Sequence, residues 1–219
     1  MSYELIIITG EDSGDLYGGN LAKEIQRLYP DIKISGVGGK QMRSAGVDIF
    51  CDVSDISVVG FLEVIEKLGL IRRLYKQVVE RLDSKNVKGV VLIDYPGFNL
   101  KVAKAAKERG IPVFYYICPQ VWAWRKSRVK TIKKYVDKMM VILPFEKEFY
   151  QREGVDVEFV GHPLLEVIDT SINKKEVCQI FGIDDKQLII GVLPGSRKKE
   201  IAYMLPEILK ASSLIKGKY

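Results

Sequence analysis

Cysteine is scarce in this chain of 219 residues: Cys51, Cys118 and Cys178 are odd in number, far apart and without a CxxC pair. That argues against a disulfide framework and against a zinc site, and it fits a reducing cytoplasm. There is no Pro- or Ser-rich tract and no low-complexity run, so disorder is not expected and a large core can be buried. No stretch approaches the ~20 apolar residues of a membrane span. The opening MSYELIIITGEDSGD lacks a basic leader, and its apolar run is too short for a signal peptide; it reads as a buried strand. Neither an aromatic stacking sheet nor a recognition-helix signature is present, so nucleic acid is not an expected partner.

What is present is apolar content in short, regularly spaced runs. The length admits one large α/β domain or one and a half smaller ones, at roughly 100 to 200 residues each. Strands are expected at Leu5–Thr9, Ile32–Val37, Val47–Phe50, Gly89–Asp94, Val113–Ile117, Lys138–Leu143 and Val157–Val160. Helical patterns fall between them: one through Leu21, Ile25 and Leu28, a long one over Val58–Leu82, then Asn99–Arg109, Val121–Tyr135 and Glu146–Glu153. Continuous Val/Ile strands alternating with helices imply a doubly wound parallel sheet covered on both faces, with ligands at the carboxyl ends of the strands. After Gly161-His162-Pro163 the rhythm changes to a polar helix, Asn173–Phe181, and an expected strand, Leu188–Leu193. One strand and one helix cannot bury a sheet on both faces, so Tyr219 is expected to end a fragment.

Four segments carry chemistry. The loop Gly10–Asp15 follows a strand as a dinucleotide loop does, but its spacing is not GxGxxG and Glu11, Asp12 and Asp15 oppose a pyrophosphate. Carboxylates and a serine suit sugar hydroxyls, although Ser13 and Asp15 also suit simple helix capping. Asp94 ends an apolar strand before Tyr95-Pro96-Gly97-Phe98-Asn99, which makes it a candidate general base; a turn-forming Asp is the alternative. Trp122 and Trp124 precede cations at Arg125, Lys126, Arg128, Lys130, Lys133, Lys134 and Lys138, part of a formal net charge of +6. That pairing suits a membrane interface or an anionic, partly apolar ligand, and equally a solvated basic helix. Pro194-Gly195-Ser196-Arg197 joins a small-residue turn to a helix start and a fixed positive charge, which suits a diphosphate or a purely structural turn. His162, the one histidine, reads first as a linker residue.

Taken in order, GEDSGD (10–15), GVGGKQM (36–42), VVGFLEV (58–64), IDYPGFN (93–99), CPQVWAWR (118–125), LPFE (143–146), VGHPL (160–164) and LPGSR (193–197) make the chain resemble the lipid-A-disaccharide synthase family along essentially its whole length. The resemblance implies a GT-B glycosyltransferase with two Rossmann-like domains facing a cleft, here an acceptor-side domain over 1–162 and the start of a nucleotide-sugar domain over 163–219. It implies no metal and no cofactor. The implied reaction joins UDP-2,3-diacylglucosamine to 2,3-diacylglucosamine 1-phosphate and releases UDP, on the cytoplasmic face of the Gram-negative inner membrane, as a peripheral protein.

Carried over residue by residue, Asp94 is the implied base. Arg197, with Gly195 and Ser196, holds the leaving diphosphate. Glu11, Ser13, Gly14, Asp15, Gly38, Gly39, Glu63 and Asn99 line the acceptor side. Phe61, Leu62, Leu68, Leu70, Ile71, Trp122, Trp124, Arg125 and Arg128 meet acyl chains or the membrane. Some members carry a second acidic residue where this chain has Gly97, and the family's uridine and ribose contacts lie beyond residue 219. The chain alone is therefore expected to bind UDP-sugar poorly and to turn over little. Two rivals stand beside this: another nucleotide-sugar enzyme such as a UDP-sugar 2-epimerase, and a non-catalytic peripheral membrane module.

Overall fold

The computed structural model describes residues 3–53, 64–121, 127–169, 171–196 and 198–216, with the backbone alone at 64–68, 198–199 and 216. It divides into two compact units, residues 1–167 and 168–219.

The first unit is a seven-stranded parallel sheet. Its strands are β1 (Glu4–Ile8), β2 (Lys33–Gly38), β3 (Asp48–Asp52), β4 (Val87–Ile93), β5 (Val113–Tyr116), β6 (Lys138–Val141) and β7 (Val157–Phe159). The helices are α1 (Asp12–Leu28), α2 (Lys40–Ser44), α3 (Val64–Leu82), α4 (Pro96–Lys107), α5 (Arg128–Tyr135), α6 (Pro144–Arg152) and α7 (Leu164–Val167). The strands lie in the order β3-β2-β1-β4-β5-β6-β7. The order of the strands therefore reverses between β1 and β4, and in open sheets of this kind ligands bind beside such a point at the carboxyl ends.

Continuous apolar strands are explained by burial on two faces. Along β1, Ile7 packs with Ala22 of α1 and Met42 of α2, while Ile6 and Ile8 pack with Leu74 and Val78 of α3 and Val102 of α4. β4 alternates likewise, Val91 and Ile93 to the first face, Val90 and Leu92 to the second. Gly36 is dictated by the ladder, because a Cβ there would stand 1.9 Å from the Ile7 carbonyl oxygen.

One expectation is corrected in this unit. The Gly10–Gly14 loop is shorter, since α1 begins at Asp12 and takes Ser13 and Gly14 into its first turn. Asp12 and Asp15 fall in its first turn, where carboxylates suit the positive end of a helix, and Gly14 fits there with a would-be Cβ 3.0 Å from Thr9 Cβ. Of the expected helices 58–82 and 121–135, the described parts are α3 and α5; residues 54–63 and 122–126 lie outside the described residues.

The second unit holds α8 (Lys174–Phe181) and α9 (Lys198–Lys216). Asn173 caps α8, its side-chain oxygen accepting from the N–H of Lys175 at 2.7 Å, and Gly182 ends it at φ +62. The strand expected at Leu188–Leu193 is not formed. A strand exists through pairing, and among the described residues no neighbour takes up its N–H and C=O groups. Its side chains stay exposed, Leu193 at 87%.

Candidate functional site

Four loops meet at the carboxyl edge of the sheet, after β1 (Thr9–Glu11), β2 (Gly39), β4 (Asp94–Tyr95) and β5 (Ile117–Cys118). Thr9 is fully buried and bonds Val37 through both N–H (3.0 Å) and hydroxyl (3.3 Å), tying the β1 loop to β2. Gly10 leaves room for the Tyr95 ring, since a Cβ there would meet Tyr95 Cγ at 2.2 Å. Tyr95 stacks in turn on Phe98, with ring centroids 5.8 Å apart.

Asp94 and Tyr95 both have φ of +45°, and Ile117 at the end of the neighbouring strand has φ of +61°. Left-handed backbone disfavours residues that carry a Cβ, and such conformations persist where surrounding contacts over-determine them. Here the N–H of Asp94 donates to Ile117 O at 3.3 Å, and the N–H of Ile117 to Met140 O at 3.0 Å.

The Asp94 side chain is half-buried. Burial pushes its carboxyl above the ordinary carboxylate value, the negative charge of Glu11 adds to the effect, and the N–H of Tyr95 works against it. Tyr95 is raised by burial and then by Glu11. A half-buried carboxyl beside a like charge takes a proton more readily than an exposed one, which a general base requires.

The remaining expectations divide. Glu11 and Ser13 are exposed beside this edge. Asp15 acts as a structural clamp, nearer to the capping alternative: its Oδ1 accepts from Gly39 N (2.6 Å) and Met42 N (3.1 Å), and its Oδ2 from Gln41 N (2.8 Å). Gly14, Gly38 and Gly39 are buried, and their small size serves packing. A Cβ would stand 3.0 Å from Thr9 Cβ at Gly14, 2.3 Å from Met42 Sδ at Gly38 and 2.8 Å from Asp15 Oδ2 at Gly39. Asn99 is fully buried, with its amide nitrogen donating to Ile93 O (3.1 Å) and Asp94 O (2.8 Å).

Of the apolar and membrane set, Leu70 is half-exposed, and Ile71 packs against the core of the first unit. Leu74 is core. Arg128 is half-buried at the start of α5, and its charge reaches the buried Tyr115 hydroxyl. Lys138 belongs to no free cationic patch, because it pairs with Asp156 (3.0 Å) and Glu158 (3.6 Å). Lys130, Lys133 and Lys134 are exposed. Phe61, Leu62, Glu63, Trp122, Trp124, Arg125 and Arg197 lie outside the described residues, as does the side chain of Leu68. In the second unit Gly195 (φ +108°) and Ser196 form an exposed turn before α9. Glu200 Oε2 lies 2.8 Å from where a Cβ on Gly195 would sit, so an acidic group shares that turn. His162 accepts the N–H of Leu164 on Nδ1 at 3.2 Å, at the start of α7.

Sequence reasoning missed the buried set below the β5 loop. The Cys118 thiol donates to Glu146 Oε1 at 3.0 Å, Glu146 Oε2 accepts the N–H of Leu143 at 3.0 Å, and the Tyr150 hydroxyl donates to Pro119 O at 3.1 Å. The signal available was Glu146 three residues after a helix-entry Leu-Pro, the position from which a Glu caps a helix start. Among the described residues, no group of three or more His, Cys, Asp or Glu side chains is placed to hold a metal ion. No described helix is long and apolar enough to cross a membrane.

Comparison with solved structures agrees on the architecture. UDP-GlcNAc 2-epimerase from Neisseria meningitidis, bound to UDP-GlcNAc, matches 83% of this chain and 54% of its own with a TM-score of 0.55 at 14% identity. A putative UDP-N-acetylglucosamine 2-epimerase from Listeria monocytogenes matches 76% and 51% with a TM-score of 0.54 at 12% identity. Likeness at that identity is one of fold, the Rossmann-like GT-B type, and does not select an epimerase. Sequence is more discriminating. The lipid-A-disaccharide synthase of Geobacter metallireducens is 45% identical over 215 residues, which is 98% of this chain and 56% of that protein. That of Syntrophus aciditrophicus is 46% identical over 211 residues, 96% of this chain and 55% of that protein. The chain thus spans just over half the length of these relatives. Residues 5–219 match the family model for lipid-A-disaccharide synthetase, and the chain belongs to that family.

Proposed function

We propose that this chain supplies the acceptor side, over residues 1–162, and the beginning of the donor side, from 163 onward, of an inverting glycosyltransferase. The reaction joins UDP-2,3-diacylglucosamine to 2,3-diacylglucosamine 1-phosphate, giving lipid A disaccharide 1-phosphate and UDP. In a chain of this family, the observation that carries the reading is Asp94, held on a left-handed turn at the switch point of the sheet with its carboxyl raised by burial and by Glu11.

Asp94 takes the proton of the acceptor's primary hydroxyl as that oxygen bonds to the donor's anomeric carbon. The bond from that carbon to the diphosphate oxygen breaks, and UDP leaves with the electron pair. A carboxylate suffices because the hydroxyl becomes acidic only as it attacks. Arg197, with Gly195 and Ser196, is proposed to neutralise the charge growing on the diphosphate. Contact with the inner-membrane surface from the cytoplasm is proposed through the α3 and Trp122–Lys134 segments, and it is supported by exposed Arg72, Arg73 and Lys76 beside half-exposed Leu70.

The test is transfer by the full-length protein carrying Asp94→Asn. Loss of roughly 10²-fold or more in turnover is expected. Undiminished transfer removes Asp94 as base, and interconversion of a UDP-sugar at C2 without any acceptor overturns the transferase reading.

A further inference from the structure

Asn99 is fully buried in α4, and its side-chain oxygen has no hydrogen-bond partner among the described residues. An apolar residue of similar size would bury equally well and leave no orphan acceptor. What the amide returns is its two N–H groups, given to Ile93 O at 3.1 Å and Asp94 O at 2.8 Å. Its orientation is fixed by those bonds, because turning the amide over would set its oxygen against two carbonyl oxygens.

A second donor arrives from a different element. Tyr115, fully buried on β5, donates its hydroxyl to the same Asp94 carbonyl at 2.5 Å. Both lone pairs of that carbonyl are then occupied, one from the helix that follows the turn and one from the strand beside it. The peptide so held joins Asp94 and Tyr95, the two consecutive residues at φ +45°. A Cβ-bearing residue stays in that region only where contacts fix it.

We propose that Asn99 and Tyr115 are positioning residues for Asp94, clamping the left-handed turn that sets its carboxylate at the carboxyl edge between β1 and β4. The inference rests on Asp94 acting as the base. Neither residue touches substrate; they act through the backbone of the residue that does.

The test uses Asn99→Leu and Tyr115→Phe in the full-length protein, with Asp94→Asn alongside. Asn99→Leu keeps the approximate size and removes the donors without adding charge; Tyr115→Phe removes one oxygen. Both are expected to lower kcat by about 10- to 100-fold, the scale of an ångström-sized misplacement, while KM for each substrate stays within about twofold. The acid limb of kcat against pH is expected to move to lower pH. A carboxylate released toward water loses the burial that raises it, even though Glu11 from the β1 loop and the side chains of Tyr95 and Cys118 remain beside it. A purely structural role would lower the folded fraction and leave the limb where it was. Folded variants with unchanged kcat and unchanged acid limb overturn the proposal. If Asn99→Leu does not fold, Tyr115→Phe decides alone. If that too unfolds, the hydroxyl serves the fold rather than the base and the proposal fails. Undiminished transfer by Asp94→Asn would instead remove the functional reading on which it stands.

Discussion

Asp15 caps a helix that is not its own: its Oδ1 accepts the N–H of Gly39, the residue before α2, at 2.6 Å. With Gln41 and Met42 also donating to it, one carboxylate satisfies three backbone N–H groups at the start of a five-residue helix. It is 5% exposed, so water cannot replace these bonds. The negative charge also faces the positive end of α2.

Removing it is therefore costly. Asp15→Ala is expected to lower stability by about 3 kcal/mol, the scale of a lost charge-assisted, buried set. Asp15→Asn is expected to cost about half of that, since the amide oxygen keeps one acceptor while its NH2 faces donors. The check is the urea midpoint at unchanged slope. An Asp15→Ala variant within about 0.5 kcal/mol of the parent would mean that the clamp is not formed in solution.

Asp94 predicts a pH-dependent exchange between stability and activity. Its folded-state value is raised, so the protonated form is favoured in the fold. The stability this provides is complete below the unfolded-state value and is lost as pH rises through the folded one. Above that, an ionised, half-buried carboxyl stands beside Glu11. Asp94→Asn is thus expected to melt higher than the parent near pH 7, with the gap closing toward about pH 3, while transfer is lost. A gap that is constant with pH would show that ionisation of Asp94 is not its source.

The sheet and the location of Asp94 were legible because both depend on local pattern: apolar runs at regular spacing, and an acidic residue where one ends. The roles of Asp15 and Asn99 were not. Residue type gives the capacity to bond but not the partner, and the Gly39 that Asp15 holds is 24 positions away. GEDSGD reads as a loop from its glycines and charges, yet Gly14 lies inside α1 against Thr9, and Gly10 makes room for Tyr95, 85 positions away. Leu188–Leu193 fails in the opposite sense. Its composition is that of a strand, but a strand needs a neighbour to pair with.

Cys118 also lay beyond local reading, for its partner Glu146 is 28 positions away. The thiol is 5% exposed and Glu146 is 2% exposed. Burial first, and then Glu146 as acceptor and as negative charge, push the thiol well above its ordinary value. The reactive species is the thiolate, so Cys118 is expected to be inert in the folded chain. Cys51 on β3 is only half-buried, whereas Cys178 is buried. Iodoacetamide followed by peptide mass spectrometry is expected to label Cys51 at least about tenfold faster than Cys118, with the difference vanishing in denaturant. Glu146→Leu is expected to cost about 2 kcal/mol, because it strands the Leu143 N–H at the start of α6 together with the thiol. Labelling of Cys118 as fast as Cys51 in the native protein would place that thiol at the surface, and the buried link between the β5 loop and α6 would have to be abandoned.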